Sequence, residues 1–271
     1  MNSNYFGQNL EDKVLWNFFG KKNNGFFIDV GAFDGVYLSN TYLFELMGWE
    51  GICIEPHPSS FEKCKENRPN SICIHAACVG DNSIEQITFY SEELGFLSGL
   101  SNREEELRKR YKGRNKNFAG YEEILVPSFT LNDILTSQNQ YSPIDFVSID
   151  VEGAEIDVLK GFDIQKYQPS VLLIEANTYE EEIALDNYLL NKMGYFKSRR
   201  LVENLFYCKT SNDAIKLSEI RINGDEKSSW NPIGFSNRSS SNISILQKGI
   251  YLIKKGIQRL FLQLRRGQSN K

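Results

Sequence analysis

The residues best suited to chemistry in the first part of the chain follow two short apolar runs. Asp29 ends the first run, in "GFFIDVGAFDG", with Gly31 and Gly35 after it, and Glu55 ends the second, in "GICIE". A glycine turn between a strand and a helix lets backbone N–H groups approach a ligand at the positive end of the helix. An acidic residue at the end of the next strand can accept both hydroxyls of a ribose. The unit is therefore typical of a site for an adenosine-containing cofactor.

The spacing of the glycines distinguishes between cofactors. A dinucleotide fingerprint needs G-x-G-x-x-G, whereas Phe33 stands here where the middle glycine would be. Asp29 would repel a phosphate and attract an ammonium or sulfonium group. S-adenosylmethionine has both positive groups and no phosphate, so the spacing favours it over a dinucleotide. The alternative interpretation of the two glycines is a tight strand–helix turn without a ligand.

A second acidic motif follows a later apolar run. In "FVSIDVEGAEIDVLKG" Asp150 stands at the end of a predicted strand and Glu152 follows it, whereas Glu155 and Asp157 fit the capping of the next helix. Carboxylates at the C-terminal end of a parallel strand open into the crevice where doubly wound folds bind ligands. Asp150 and Glu152 are therefore the candidate catalytic residues.

The elements that must position these groups alternate along the chain. Short apolar strands and helices of about ten residues predict an α/β fold with a doubly wound, mostly parallel sheet. Strands are predicted at 25–30, 51–55, 71–79, 123–129, 144–150 and 170–176, with an edge strand or small hairpin at 84–90 and a closing antiparallel hairpin in 195–209. Helices are predicted at 8–19 and 37–47. Three more helices are predicted from their caps: one begins at a capping box of Ser59 and Glu62, one is capped by Thr130 with Asp133 three residues on, and one runs from a capping box of Thr178 and Glu181 through Met193.

Composition limits the class of protein. With 271 residues, 41% of them hydrophobic and a net charge of −4, the chain has room for one sizeable core and does not bind polyanions generically, so we expect no nucleic-acid partner. The sequence shows no apolar run of about 18 residues and no secretory signal. The five cysteines fit reduced, buried thiols. These features predict a cytoplasmic protein.

The pattern along the chain divides it into parts. Residues 1–210 form the predicted main domain, and a charged insertion at 92–120 within it would suit a lid. A Ser/Asn-rich linker is predicted at 211–242, and a basic amphipathic helix at 243–271 forms the predicted C-terminal helical tail. The apolar and basic faces of 243–266 suit peripheral contact with an anionic membrane. Docking of this tail on its own domain or on a dimer partner is the alternative, and the sequence leaves the oligomeric state open.

Six motifs in one order resemble the FkbM family of methyltransferases. They are "FFIDVGAFDGVYLSNTY", "GICIEPHPSSFEKCKENR", "HAACVG", "VPSFTLNDIL", "IDFVSIDVEGAEIDVLKG" and "LLIEAN", and the similarity runs from about Tyr5 to Cys208. The resemblance implies a class I, Rossmann-like fold that uses S-adenosylmethionine. It also implies transfer of methyl to oxygen, commonly to a hydroxyl of a sugar in a glycan, a glycolipid or a natural product.

The resemblance also implies roles for single residues, carried over by position. The methionine end of the cofactor would be lined by Asp29, Gly31, Ala32 and Gly35, and Glu55 would hold the ribose. Near the adenine would lie Pro56, Ala76 and Ala77. Asp150 and Glu152 would face the transferred methyl or the acceptor. The opening "YFGQN" resembles a segment that can cover the cofactor, which adds Gln8.

Methyl transfer to a hydroxyl needs removal of a proton from a weak acid, by a positioned base or with a metal. We expect a carboxylate base rather than a Mg²⁺ or Ca²⁺ site, because only two neighbouring carboxylates are secure and Glu175 is a conditional third. No metal ligand is therefore assigned. Two rival functions remain: an NAD-dependent oxidoreductase on the same fold, which Phe33 disfavours, and a catalytically inactive cofactor fold that serves as an interaction module.

Overall fold

A computed structural model describes residues 5–83, 85–91, 99–100, 122–138 and 143–222. Nearly all of the predicted insertion and the whole predicted tail lie outside these ranges, so the lid, the membrane helix and the glycolipid contact that depends on it stay predictions. Within the described ranges, no helix combines the length and the apolar character needed to cross a membrane.

The main sheet has seven strands, and its strand order reverses in the middle. Its order is β3-β2-β1-β8-β9-β11-β10. The strands are β1 (Phe26–Val30), β2 (Glu50–Ile54), β3 (Ser71–Ile74), β8 (Phe146–Ile149), β9 (Val171–Glu175), β10 (Phe196–Leu201) and β11 (Asn204–Cys208). All neighbours are parallel except β11, which runs antiparallel to β9 and β10. The predicted doubly wound sheet and closing hairpin are confirmed.

Helices cover both faces of this sheet. One face packs against α1 (Glu11–Phe18), α2 (Tyr42–Leu46), α3 (Pro58–Asn67) and α8 (Ser211–Ser218). The other packs against α4 (Leu131–Ser137), α5 (Glu155–Lys160), α6 (Ile164–Tyr167), α7 (Tyr179–Asp186) and the π-helical segment Asn187–Lys192 that continues α7. Strand β1 shows why two cores form: Phe27 belongs to the first, while Ile28 and Val30 belong to the second, because successive side chains alternate across a strand.

A second sheet lies beside the first and was only partly anticipated. It contains β4 (Ala77–Cys78), β7 (Glu122–Phe129), β5 (Gln86–Ser91) and β6 (Gly99–Leu100), in that order. The prediction of one strand over 71–79 was wrong, because the chain leaves β3 after Ile74 and joins the other sheet at Ala77. Of the edge segment predicted at 84–90, the residues from Gln86 onward form β5, which pairs with β7 in this sheet.

Two of the three predicted helix caps are confirmed. The Thr130 hydroxyl accepts from the Asp133 N–H at 3.1 Å, and Thr178 with Glu181 forms a reciprocal capping box. The capping box at Ser59 was wrong. Helix α3 begins two residues earlier, at Pro58, and His57 caps it, since a proline suits the first helical position.

Other helical segments also differ from the predictions. The helix expected over 37–47 is shorter, because Leu38 has a φ of 54° and the Ser39 hydroxyl accepts from the Tyr42 N–H, so α2 starts only at Tyr42. Residues 211–218 form α8, capped by Thr210, rather than the start of a linker. Burial of Ala214 and Leu217 in the first core explains why this segment is ordered.

The N-terminal segment is tied to the last strand of the sheet. Helix α1 begins at Glu11, later than the predicted residue 8, because Leu10 has a φ of 67°. The Asn204 amide of β11 donates to the Glu11 carboxylate at 2.9 Å across 193 positions of sequence. Glu11 and Asp12 are both completely buried. The start and the end of the described domain therefore meet at the C-terminal edge of the central strands.

Candidate functional site

The site lies where the strand order reverses, between β1 and β8. In open α/β sheets this position leaves a crevice beyond the carboxyl ends of the strands. Gly31 follows β1 with a φ of 87°, and a Cβ built on it would lie 1.8 Å from the Asp150 backbone oxygen. Only a glycine allows this approach, so the glycine turn and the acidic motif, 119 positions apart in sequence, pack directly on each other.

Glu55 is held in place by the loop that follows β1. One carboxylate oxygen accepts from the Phe33 N–H at 2.8 Å, and the other accepts from the His57 N–H at 2.8 Å. Burial raises the pKa of Glu55 to about 7. Each carboxylate oxygen keeps a second lone pair, so the fixed side chain can still accept from a ribose diol. The predicted ribose-binding role therefore fits the geometry.

Phe33 explains why a pyrophosphate does not suit this loop. Its backbone N–H, the group that would face a diphosphate in a dinucleotide site, donates to Glu55 instead. Asp34 completes the turn by accepting from the N–H groups of Val36 and Tyr37 at 2.9 and 2.7 Å. The signal for Asp34 was present in the sequence, because aspartate commonly bonds to backbone two residues on.

Asp29 lies beneath the glycine loop and is nearly buried. Its carboxylate accepts from the Thr41 hydroxyl at 2.6 Å. Burial raises its pKa to about 7, although the nearby positive charge of Arg68 and the Thr41 hydrogen bond oppose the shift. A direct contact between Asp29 and the methionine end of a cofactor stays a prediction.

Arg68 organises the buried side of this loop, and nothing local in the sequence indicated it. The guanidinium is fully buried; its Nε donates to Glu45 at 2.6 Å and its Nη1 donates to the Gly35 carbonyl at 2.8 Å and the Thr41 hydroxyl at 3.0 Å. These partners lie 23 to 33 positions away. Arg68 thus connects the end of α3 to the glycine loop and to α2.

Three carboxylates converge at the C-terminal ends of β8 and β9. Oxygens of Asp150, Glu152 and Glu175 all lie within 4.8 Å of one another. The Asp150 side chain is exposed to solvent, whereas Glu175 beside it is buried. The cost of desolvating its charge, and then repulsion from Glu175, raises the pKa of Asp150 well above its ordinary value. A hydrogen bond between the Asp150 and Glu175 carboxyls acts in the same direction.

The turn after Asp150 is fixed by a fourth carboxylate. Glu155 is buried, and one of its oxygens accepts from the Gly153 N–H at 2.8 Å and from the Val151 N–H at 3.3 Å. Burial raises the pKa of Glu155 to about 7. Glu152 lies in this turn with a φ of 54°. Glu155 therefore stabilises the turn. The prediction that it caps the next helix was wrong, because its donors precede the helix and the N-cap residue, Ala154, has no side-chain capping bond.

The residues expected near the adenine lie together on the other side of Glu55. The His75 Nε2–H donates to the Pro56 carbonyl at 2.9 Å, and the His75 ring stacks on Phe61 with centroids 5.0 Å apart. Ala76 and Ala77 are buried where the chain passes from β3 to β4. His75 thus brings Pro56 close to Ala76 and Ala77, and the contact of these three residues with adenine stays a prediction.

The N-terminal segment approaches the site through Asn40. A Cβ on Gly7 would lie 3.1 Å from the Asn40 Oδ1, and the Asn40 amide donates to the Ser148 hydroxyl, two residues before Asp150, at 3.2 Å. The Gln8 side chain is exposed. Ala32, next to the glycine turn, is buried. The proposed covering role of Gln8 stays a prediction.

The three carboxylates also form the donor set that an oxygen-preferring divalent cation requires. Mg²⁺ is commonly held by one or two protein carboxylates and completed by water, so Asp150, Glu152 and Glu175 are sufficient in number. Glu175, the conditional third ligand of the sequence analysis, does reach the other two. The geometry is thus compatible with either a carboxylate base or a cation.

A glycine turn at the switch point, a carboxylate fixed at the end of β2 and an acidic motif after β8 define a class I S-adenosylmethionine-dependent methyltransferase. The family model described as the methyltransferase FkbM domain matches residues 29–202. The chain therefore belongs to the FkbM methyltransferase family, and the oxidoreductase alternative is set aside.

Comparison with solved structures gives distant matches only. A protein of Pyrococcus horikoshii described as a candidate RNA methyltransferase is 14% identical, with a TM-score of 0.39 over 74% of this chain and 82% of that one. A SAM-dependent methyltransferase of Aquifex aeolicus is 13% identical, with a TM-score of 0.38 over 74% and 89%. At these scores the matches add nothing to the family assignment. Comparison with curated protein sequences gives no match.

Proposed function

We propose that this methyltransferase transfers methyl to a hydroxyl oxygen of a saccharide. The observation that carries the proposal is the convergence of Asp150, Glu152 and Glu175 beside the glycine turn. Carboxylates are acceptors only, and a saccharide presents several hydroxyl donors to satisfy them. The same charges would repel a phosphate-rich acceptor, which argues against nucleic acid.

Asp150 is the residue best placed to take the proton of the acceptor hydroxyl. A base works best when its pKa lies near the working pH, and the crowding around Asp150 raises its pKa in that direction. The Glu175 carboxylate lies beside Asp150, so the two side chains could share a proton that Asp150 receives. Glu152, adjacent in the turn, would orient the acceptor by accepting from a second hydroxyl.

The loop residues prepare the other side of the reaction. Bound at the switch point, S-adenosylmethionine would supply a methyl group that its sulfonium sulfur has already activated. Glu55 would fix the ribose, and the bare Cα of Gly31 brings the loop against the Asp150 backbone. This packing would bring the methyl donor close to the carboxylates that bind the acceptor hydroxyl. In-line transfer requires the donor and the acceptor to be held close together in this way.

Replacing Asp150 with asparagine tests this assignment. The amide keeps the shape of the side chain but cannot accept a proton from an alcohol, so we expect Asp150→Asn to lower transfer by about 10²- to 10⁴-fold. Labelled methyl uptake from S-adenosylmethionine into neutral saccharides, glycan fractions and RNA measures the rate and the acceptor class. Calorimetry with S-adenosylhomocysteine measures cofactor-site binding separately, and we expect it to be retained.

Asp157→Asn is the matched control, because Asp157 lies on the same segment but forms an exposed ion pair with Lys160 at 2.8 Å. This control should transfer methyl at the normal rate. Near-normal transfer by Asp150→Asn would remove Asp150 from catalysis, and methyl uptake into RNA alone would refute the saccharide proposal. Loss of wild-type transfer in a chelator, restored by Mg²⁺, would assign the carboxylates to a cation instead of to base catalysis.

A further inference from the structure

A cluster of three thiols lies behind the glycine loop and has no part in the transfer described above. The sulfurs of Cys53, Cys64 and Cys73 all lie within 4.8 Å of one another, and those of Cys64 and Cys73 are 3.8 Å apart. All five cysteines of the chain are free, and the other two, Cys78 and Cys208, are buried elsewhere. Cys73 is the only half-buried thiol of the five.

The surroundings of Cys73 favour its thiolate. Hydrogen bonds from Cys53 and Cys64 lower the pKa of Cys73, and the positive charge of Arg68 acts in the same direction. The Nη2 of Arg68 is buried without a hydrogen-bond acceptor among the described residues, so this guanidinium has a donor to spare. A thiolate that solvent can reach, with a second thiol beside it, is the arrangement of peroxide-reactive cysteines.

We propose that Cys73 and Cys64 form a peroxide-responsive pair that closes to a disulfide. The Cys73 sulfur attacks one oxygen of hydrogen peroxide, the O–O bond breaks, and a sulfenic acid and water result. The Cys64 sulfur then attacks the oxidised sulfur, an S–S bond forms, and the hydroxyl leaves as water with the Cys64 proton. Two thiols and one peroxide thus give one disulfide and two waters.

Closure of this pair would be transmitted to the cofactor loop. The sulfurs must approach by about 1.7 Å to reach the length of a disulfide bond. A Cβ on Gly35 would lie 3.1 Å from the Cys64 sulfur, so this sulfur packs against the end of the loop. Arg68, four residues after Cys64, donates to the Gly35 carbonyl. Movement of Cys64 therefore disturbs Gly35 from two sides. This coupling rests on the proposed use of the Gly31–Gly35 loop for the cofactor.

Disulfide mapping after peroxide treatment of the full-length protein is the first test. Trypsin cleaves after Lys65, so a Cys64–Cys73 bond would join two peptides and would be found by mass spectrometry without reduction. We expect the joined pair in the wild type and in Cys78→Ser, the matched control with a buried thiol outside the cluster. We expect its loss in Cys64→Ser and in Cys73→Ser. Absence of the pair in the wild type, or a bond that includes Cys53, overturns the proposal, as does zinc held by the three thiols.

Cofactor affinity is the second readout. Oxidation should weaken S-adenosylmethionine binding by about tenfold, dithiothreitol should restore it, and Cys64→Ser should not respond to peroxide. Unchanged affinity in a protein with the mapped disulfide overturns the coupling to Gly35. A different result would separate the two proposals. If the wild-type protein forms the disulfide with peroxide but does not bind S-adenosylmethionine even when reduced, the proposed cofactor loop is refuted and the thiol pair is still supported.

Discussion

Gly31→Ala is the substitution that probes the centre of the site. The new Cβ would lie 1.8 Å from the Asp150 backbone oxygen, and no rotation of a side chain can relieve a clash with backbone. The loop and the turn after β8 must therefore separate by more than about 1 Å, at a cost of about 1–3 kcal/mol for overpacking. Alanine at a φ of 87° adds about 1–2 kcal/mol. The expected loss of unfolding free energy is about 2–5 kcal/mol.

Gly194→Ala separates the two contributions. Gly194 has a φ of 74° and nothing within 4 Å of a built Cβ, so this variant should lose only the backbone part, about 1–2 kcal/mol. Urea unfolding measures both variants, and calorimetry with S-adenosylmethionine measures binding. In Gly31→Ala, a displacement of about 1 Å between the loop and the turn after β8 can reduce the rate of methyl transfer by about a hundredfold. Equal stability losses in the two variants, with normal cofactor affinity in Gly31→Ala, would refute the contact between the loop and Asp150.

Two further outcomes follow from buried charges. Burial raises the pKa of Asp29 and of Glu55 to about 7, so the cofactor-free fold binds protons more tightly than the unfolded chain. Its unfolding free energy should be highest below about pH 4 and should fall as the pH rises to 7, by about 3 kcal/mol for Glu55 alone. Urea unfolding of Glu55→Gln should show a flatter dependence of the unfolding free energy on pH. A wild-type unfolding free energy that rises over this range would contradict the raised pKa values. Arg68→Met should lower the unfolding free energy by about 3–5 kcal/mol, because Glu45 is left buried without its ion-pair partner. Lys160→Met, which removes an exposed ion pair, should change the unfolding free energy by no more than about 1 kcal/mol. Equal losses of unfolding free energy in the two variants would show that the Arg68 network is not stabilising.

The parts of the fold that could be predicted are those with a local signal. Apolar runs ending in Asp29, Glu55 and Asp150 gave the three strands that border the crevice, because burial on both faces needs continuous apolar sequence. The caps at Thr130 and Thr178 were likewise readable from residues three positions apart. The glycine spacing favoured S-adenosylmethionine, and the resemblance to a family implied the same cofactor.

The parts that could not be predicted depend on contacts between distant residues. Arg68 has the sequence context of an ordinary helix end, and only the fold brings Glu45 and the Gly35 carbonyl to it. The break between β3 and β4 has no glycine or proline to mark it, so 71–79 was taken as one strand. His57 caps α3 although serines follow it, because Pro58 already occupies the first helical position.

The bond between Glu11 and Asn204 has a consequence for synthesis of the chain on the ribosome. Asn204 is added 193 residues after Glu11, so helix α1 is synthesised long before the amide that donates to its buried carboxylate. A nascent chain that already contains every candidate catalytic residue still lacks this closure until β11 has emerged. The contact between α1 and β11 can therefore form only after about three quarters of the 271 residues have been joined.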